Sequence, residues 1–176
     1  MTPPLNQQKS HVVIPYGITK IRDSSFRKYR SMVSLEIPDS VISIGEYAFA
    51  NCINLQFLKI PDSVTTLGWF AFGNCFRLKT VVIGNSLTSI SHAAFINCRN
   101  LKSVIFSPLS LCSKIEPHAF SCCSNLRSIV IPNSVSFIDK TSFTILLLVV
   151  YVQSQEQYDK LRLSNPELNF QILLNE

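Results

Sequence analysis

Six phenylalanines recur down this chain at a nearly constant interval: Phe26, Phe49, Phe72, Phe95, Phe120 and Phe143, spaced by 23, 23, 23, 25 and 23 residues. A repeat this short constrains the fold more than any other feature, because one unit cannot bury its apolar side alone. Units must therefore stack and share a core. Other columns move in step. Ile14, Ile37, Ile60, Ile83, Phe106 and Ile131 form one, and Ile21, Ile44, Leu67, Ile90, Ile115 and Ile138 another. Leu35, Leu58, Val81, Val104 and Ile129 make a third, while Cys52, Cys75, Cys98 and Cys123 each precede a Leu by three residues.

Within a unit, Leu58, Lys59 and Ile60 alternate inward and outward as a short strand requires, and equivalent strands would pair in parallel at about 4.8 Å. Val64 to Leu67 reads as a second strand. The step between them, Pro61, Asp62 and Ser63, has turn chemistry: Pro sets φ and Asp bonds nearby backbone. The expected fold is a repeat solenoid, a leucine-rich-repeat-like right-handed stack of 23-residue coils with a C-terminal strand-helix-strand cap. Residues 1–10 read as a flexible N-terminal segment, 11–152 as about six coils, and 153–176 as the cap. In the cap, Val149 to Val152 is the last strand of the stack and Ser154 with Gln157 makes a capping box for a helix from Gln155 to Leu163. Leu168, Phe170 and Ile172 alternate as a closing strand. The first repeat departs from the pattern, with Tyr29 in the cysteine column and Met32 in the leucine column, as terminal repeats do.

The order Cys, two residues, Leu, two residues, Ile, one residue, Ile-Pro, then Ser-Val-Thr-x-Ile-Gly and Ala-Phe resembles the BspA-like, or treponemal-type, leucine-rich repeat family. Cys52 to Phe72 follows it almost position for position, and the resemblance spans about Val12 to Val152. It implies a non-enzymatic surface or interaction protein, with adhesion and protein binding as the roles, and no catalytic residues. Departures are local: Gly84 and Ser107 replace the Pro, and two extra residues enter between Phe106 and Ile115.

Composition narrows the function. A 47% hydrophobic content excludes wholesale disorder, and a net charge of +5 favours anionic partners mildly. The cations are spread along the chain rather than gathered into one patch, which disfavours nucleic acid. Met1 to His11 lacks the apolar core of a secretory signal, and no Asn-x-Ser/Thr sequon occurs; both point to an intracellular site, although the family resemblance also allows surface exposure. Ile145 to Val152 is too short to span a bilayer as a helix. The capped ends argue against end-to-end fibres and for a monomer.

Enzymatic constellations are missing: no Gly-x-Ser-x-Gly, no phosphate-cradling loop and no His-Glu-x-x-His. Asp39 and Asp62 share a column with Asn85 and Asn133 and so belong to turns, and His92 and His118 read as structural or solvated turn residues. The column cysteines read as buried free thiols. Cys112, His118, Cys122 and Cys123 fall close enough in sequence to raise a zinc site, but lack its paired Cys-x-x-Cys form. No cofactor is expected. The outward positions are more informative, because core columns only build the scaffold. One outward column runs Val33, Gln56, Lys79, Lys102, Arg127, and its neighbour runs Glu36, Lys59, Val82, Ile105, Val130. Cations thus flank an apolar stripe over three coils. The expected partner-binding residues are Lys59, Lys79, Val82, Lys102, Ile105, Arg127 and Val130, with Phe57 and Thr80 nearby. They suit a protein or extended peptide ligand carrying acidic residues. The alternative is a basic adaptor for nucleic acid or an anionic membrane, marked by a steep salt dependence.

Overall fold

The computed structural model describes residues 10–144, 148–164 and 171–175. It is the expected solenoid. One face carries β1 (His11–Val13), β3 (Ser34–Glu36), β5 (Phe57–Ile60), β7 (Thr80–Ile83), β9 (Ser103–Phe106), β11 (Ser128–Val130) and β13 (Val149–Val152). A second face carries the two-residue strands β2 (Lys20–Ile21), β4 (Ser43–Ile44), β6 (Thr66–Leu67), β8 (Ser89–Ile90), β10 (Lys114–Ile115) and β12 (Phe137–Ile138). All pairings among the described residues are parallel, and partners such as Leu58 with Val81 and Val81 with Val104 are the repeat columns themselves. The expected strand from Val64 shrinks to Thr66–Leu67, since the Pro61 turn still holds Val64, whose N–H donates to the Pro61 carbonyl at 3.2 Å.

The core is a set of ladders. Phe49, Phe72, Phe95, Phe120 and Phe143 are fully buried, and with Phe26 they stack face over face at centroid distances of 5.1, 5.0, 5.7, 5.5 and 5.4 Å. Parallel strand spacing is close to the separation that offset aromatic rings prefer, so one residue type at one column satisfies both.

The tight turn around each Phe is a third hydrogen-bonded edge, which the repeat pattern did not disclose. Residues two before and two after the Phe take positive φ: Tyr47 and Asn51, Phe70 and Asn74, Ala93 and Asn97, His118 and Cys122. This aims alternate N–H groups along the stack. Tyr47, Phe49 and Asn51 donate to Trp69, Ala71 and Gly73 of the next coil at 2.9, 2.8 and 2.8 Å, and the next turn repeats this toward His92, Ala94 and Ile96. The left-handed conformation costs about 1 kcal/mol or more for a residue with a Cβ, and these bonds offset it. Asparagine tolerates that region best, which accounts for Asn51, Asn74 and Asn97. Their side chains also form a ladder, with Asn74 Nδ2 on Asn51 Oδ1 at 3.2 Å and Asn97 Nδ2 on Asn74 Oδ1 at 3.0 Å.

Each column cysteine has a specific task. Cys52, Cys75, Cys98 and Cys123 donate their thiols to the carbonyls of Phe26, Phe49, Phe72 and Phe95 at 3.2, 3.5, 3.4 and 3.2 Å, so the column needs a small apolar group that still donates. Asp62 bonds across coils rather than within its own turn: its Oδ1 accepts from the Asn85 N–H at 2.9 Å. The equivalent donor for Asn85 Oδ1 is residue 108, a proline without an N–H, and that oxygen is buried without a partner.

At the C-terminal end, helix α1 (Gln155–Ser164) starts as expected: the Gln157 N–H donates to Ser154 Oγ at 3.2 Å. The return bond lands one residue earlier than a standard capping box, on the Gln153 N–H at 2.9 Å. Gln157 Nε2 then donates to the Pro132 and Val135 carbonyls, so the buried amide fastens the helix to the last coil. β14 (Gln171–Leu174) pairs with β13 and buries Ile172; Leu168 and Phe170 of the expected closing strand lie outside the described residues.

Candidate functional site

Of the seven expected contact residues, Lys59, Val82, Ile105 and Val130 belong to the longer strands, and Lys79, Lys102 and Arg127 immediately precede them. Lys59, Val82 and Ile105 are register partners, side by side across β5, β7 and β9. Lys79 and Lys102 precede β7 and β9 and are tied by backbone, Lys102 N–H to the Lys79 carbonyl at 2.9 Å, while Gln56 accepts from Lys79 at 2.8 Å. Lys59, Lys79, Lys102 and Arg127 are exposed, and among the described residues none of them lies within ion-pair distance of a carboxylate. Beside them Phe57 is 50% exposed, Ile105 49% and Val130 41%. Of these, Lys102, Ile105 and Val130 line one groove.

The strip is not continuous. β5, β7 and β9 form one hydrogen-bonded sheet and β11, β13 and β14 another, so β9 and β11 are not paired in a ladder. Arg127 and Val130 consequently stand on the far side of a break from Lys102 and Ile105. A groove of about 450 Å³ opens along this break, lined by Lys102, Ile105 and Val130 together with Ser103, Ser128 and Gln153 among others. Sequence reasoning placed these residues on one face but had no signal for the break. A second break separates β3 from β5, where the Gln56 N–H still reaches the Val33 carbonyl at 3.2 Å; a third, on the other face, separates β6 from β8. The breaks are staggered. Coils unlinked on one face are paired on the other, β4 with β6, β5 with β7, and β10 with β12.

Elsewhere the chemistry is structural. Cys112 occupies the column of Val41, Val64, Leu87 and Val135 and is buried like them, Cys123 is buried in the core and Cys122 is exposed. No three His, Cys, Asp or Glu side chains come together as metal ligands among the described residues. Burial raises the Cys52 thiol to about 12 and the Cys112 thiol to about 11, and pushes Cys75 and Cys98 up as well, so these sulfurs are poor nucleophiles. His92 and His118 join an aromatic row on the Phe-turn edge. Trp69 meets His92 at 5.7 Å and His92 meets His118 at 5.5 Å, both edge to face, and Tyr47 packs on Trp69 at 5.2 Å. No described helix is long and apolar enough to cross a membrane.

The sequence profile for the BspA type leucine rich repeat region matches residues 11–146 in six copies. No curated protein matches the chain significantly. Solved structures with the same fold include a leucine-rich repeat protein from Eubacterium ventriosum, 24% identical with TM-score 0.69 over 76% of this chain and 35% of that one. A leucine-rich repeat protein from Bacteroides ovatus is 19% identical with TM-score 0.54, over 95% and 54%. A leucine rich cell surface protein from Faecalibacterium prausnitzii is 20% identical with TM-score 0.53, over 86% and 62%. The chain thus spans between about a third and three fifths of the length of these neighbours. With its columns, its coils and a profile match over most of its length, the chain belongs to the BspA-type leucine-rich repeat family.

Proposed function

We propose that this protein is a non-enzymatic interaction scaffold that binds an extended, acidic segment of a protein partner on the face of β5, β7, β9 and β11. The observation that carries this reading is the set of exposed cations, Lys79, Lys102 and Arg127, with no carboxylate partner among the described residues, of which Lys102 shares a groove with the exposed apolar residues Ile105 and Val130. A protein surface needs both elements: apolar area for affinity, and charge for orientation and encounter rate. The contiguous row of rings from Tyr47 to His118 lies on the Phe-turn edge instead, so it does not interleave with these cations as a single-stranded nucleic-acid platform requires. In the test, Lys79, Lys102 and Arg127 are changed together to Glu and partner capture from the native cell is compared with wild type. Capture is lost while the thermal transition is retained; unchanged capture removes this face as the binding surface.

A further inference from the structure

We infer that the groove between β9 and β11 is where an acidic segment seats, with a carboxylate side chain inserted between the two strands. This rests on the face proposed above but names a place and a mode of binding within it. The argument begins with backbone direction. In a parallel ladder, successive residues aim their N–H and C=O groups to opposite sides. Ser103 and Ser107 donate to Lys79 and Ile83 at 3.3 and 2.9 Å, so their side of β9 belongs to β7 and the groups of Val104 and Phe106 aim at β11. Arg127 accepts from Val149 at 3.0 Å and Ile131 donates to Tyr151 at 3.0 Å, so that side of β11 belongs to β13 and the groups of Ser128 and Val130 aim at β9. The two sets form no paired ladder across the break.

Ser103 and Ser128 line the same groove, and among the described residues neither hydroxyl has a hydrogen-bond partner. Lys102 stands at the groove, an exposed cation with no carboxylate within ion-pair distance among the described residues. The backbone at this break offers acceptors as well as donors, so the sign of the cleft is set by the Lys102 ammonium, with the Ser103 and Ser128 hydroxyls as further donors, and the complementary ligand chemistry is an anionic acceptor. Ile105 and Val130, exposed on its two sides, supply apolar contact for the neighbouring side chains of an extended chain, whose residues alternate in direction. The cleft is thus built for a segment that alternates acidic and apolar residues.

The probe is a synthetic peptide of four Glu-Val pairs with blocked ends, titrated against the full chain by calorimetry, with the corresponding Lys-Val peptide as control. Ser128→Trp fills the groove from an exposed position and leaves all column residues in place; Lys102→Glu reverses the charge at its edge. The expected result is binding by wild type, at least a tenfold loss in each variant, and no binding of the Lys-Val peptide. Equal affinity of Ser128→Trp and wild type would overturn the groove. If that equality is accompanied by loss in the triple Glu variant, the cation face survives and only the seat within it is wrong. No binding of the Glu-Val peptide by wild type also overturns the groove, and partner capture then judges the face on its own.

Discussion

The junctions between coils three and four and between coils five and six use similar residues and come out differently. At the first, β5 and β7 pair over four residues, Phe57 to Ile60 with Thr80 to Ile83. At the second, β9 and β11 carry the same inward column, Val104 and Ile129, yet do not pair in one sheet. Between them lies the repeat lengthened by two residues, where Pro108 also leaves Asn85 Oδ1 without its donor. The stack remains whole because β10 and β12 are paired on the other face and Phe95, Phe120 and Phe143 remain stacked through the core. A solenoid can thus open one edge at one junction while the other edges hold, which is how a repeated scaffold acquires a unique place.

The strongest way to break this comparison is to remove what the two junctions share. Phe95→Ala takes a ring from the middle of the core stack and is expected to cost about 3 to 5 kcal/mol, read as a lowered midpoint in chemical denaturation. Gly84→Ala acts on the close approach of coils three and four, where a Cβ would fall 2.6 Å from the Pro61 carbonyl; overpacking predicts about 1 to 3 kcal/mol. Asn74→Ala removes the ladder amide and places alanine at φ 60°, for about 2 kcal/mol in all. Asn74→Gly recovers the conformational part, and equal losses in both variants would reject that division.

Alkaline titration separates the thiols. Cys52 is raised from 9.0 to about 12 and Cys112 from 9.0 to about 11 in the folded protein, so on unfolding they ionise more readily. Their contribution to stability is fully present below pH 9 and declines from there to 12 for Cys52 and to 11 for Cys112. In native protein at neutral pH, Cys122 reacts first with a thiol reagent and the five buried cysteines follow only on unfolding. Fast native labelling of Cys98 would contradict the burial argument. The smallest effect on stability belongs to Lys79, Lys102 and Arg127: exchange of each for Glu shifts unfolding by about 0.5 kcal/mol or less, while binding carries the whole consequence.

Much of this was legible in the residues. The columns located the core, Tyr29 and Met32 marked the first coil, and Ser154 with Gln157 marked the start of the cap helix. Lys59, Val82, Ile105 and Val130 alternate with buried neighbours because period two settles inward from outward, whereas Lys79, Lys102 and Arg127 lie just before their strands, where alternation says nothing of their direction. Cys112 was not assigned to a column, since the longer repeat hid its place beside Val41, Val64, Leu87 and Val135. The hydrogen-bonding turn around each Phe was missed because positive φ at Tyr47, Phe70 and Ala93 has no residue signature; only the asparagines hinted at it.

By itself, then, the sequence determined the stack: a fixed period with apolar columns leaves no other way to bury them, and that choice is made residue by residue. The tertiary structure decided where the edges pair and where they part. Backbone pairing depends on the accumulated spacing and twist of neighbouring coils, and no single residue encodes that quantity. Lys102 and Arg127 are alike as letters in a column, but the fold sets them on opposite sides of an open seam.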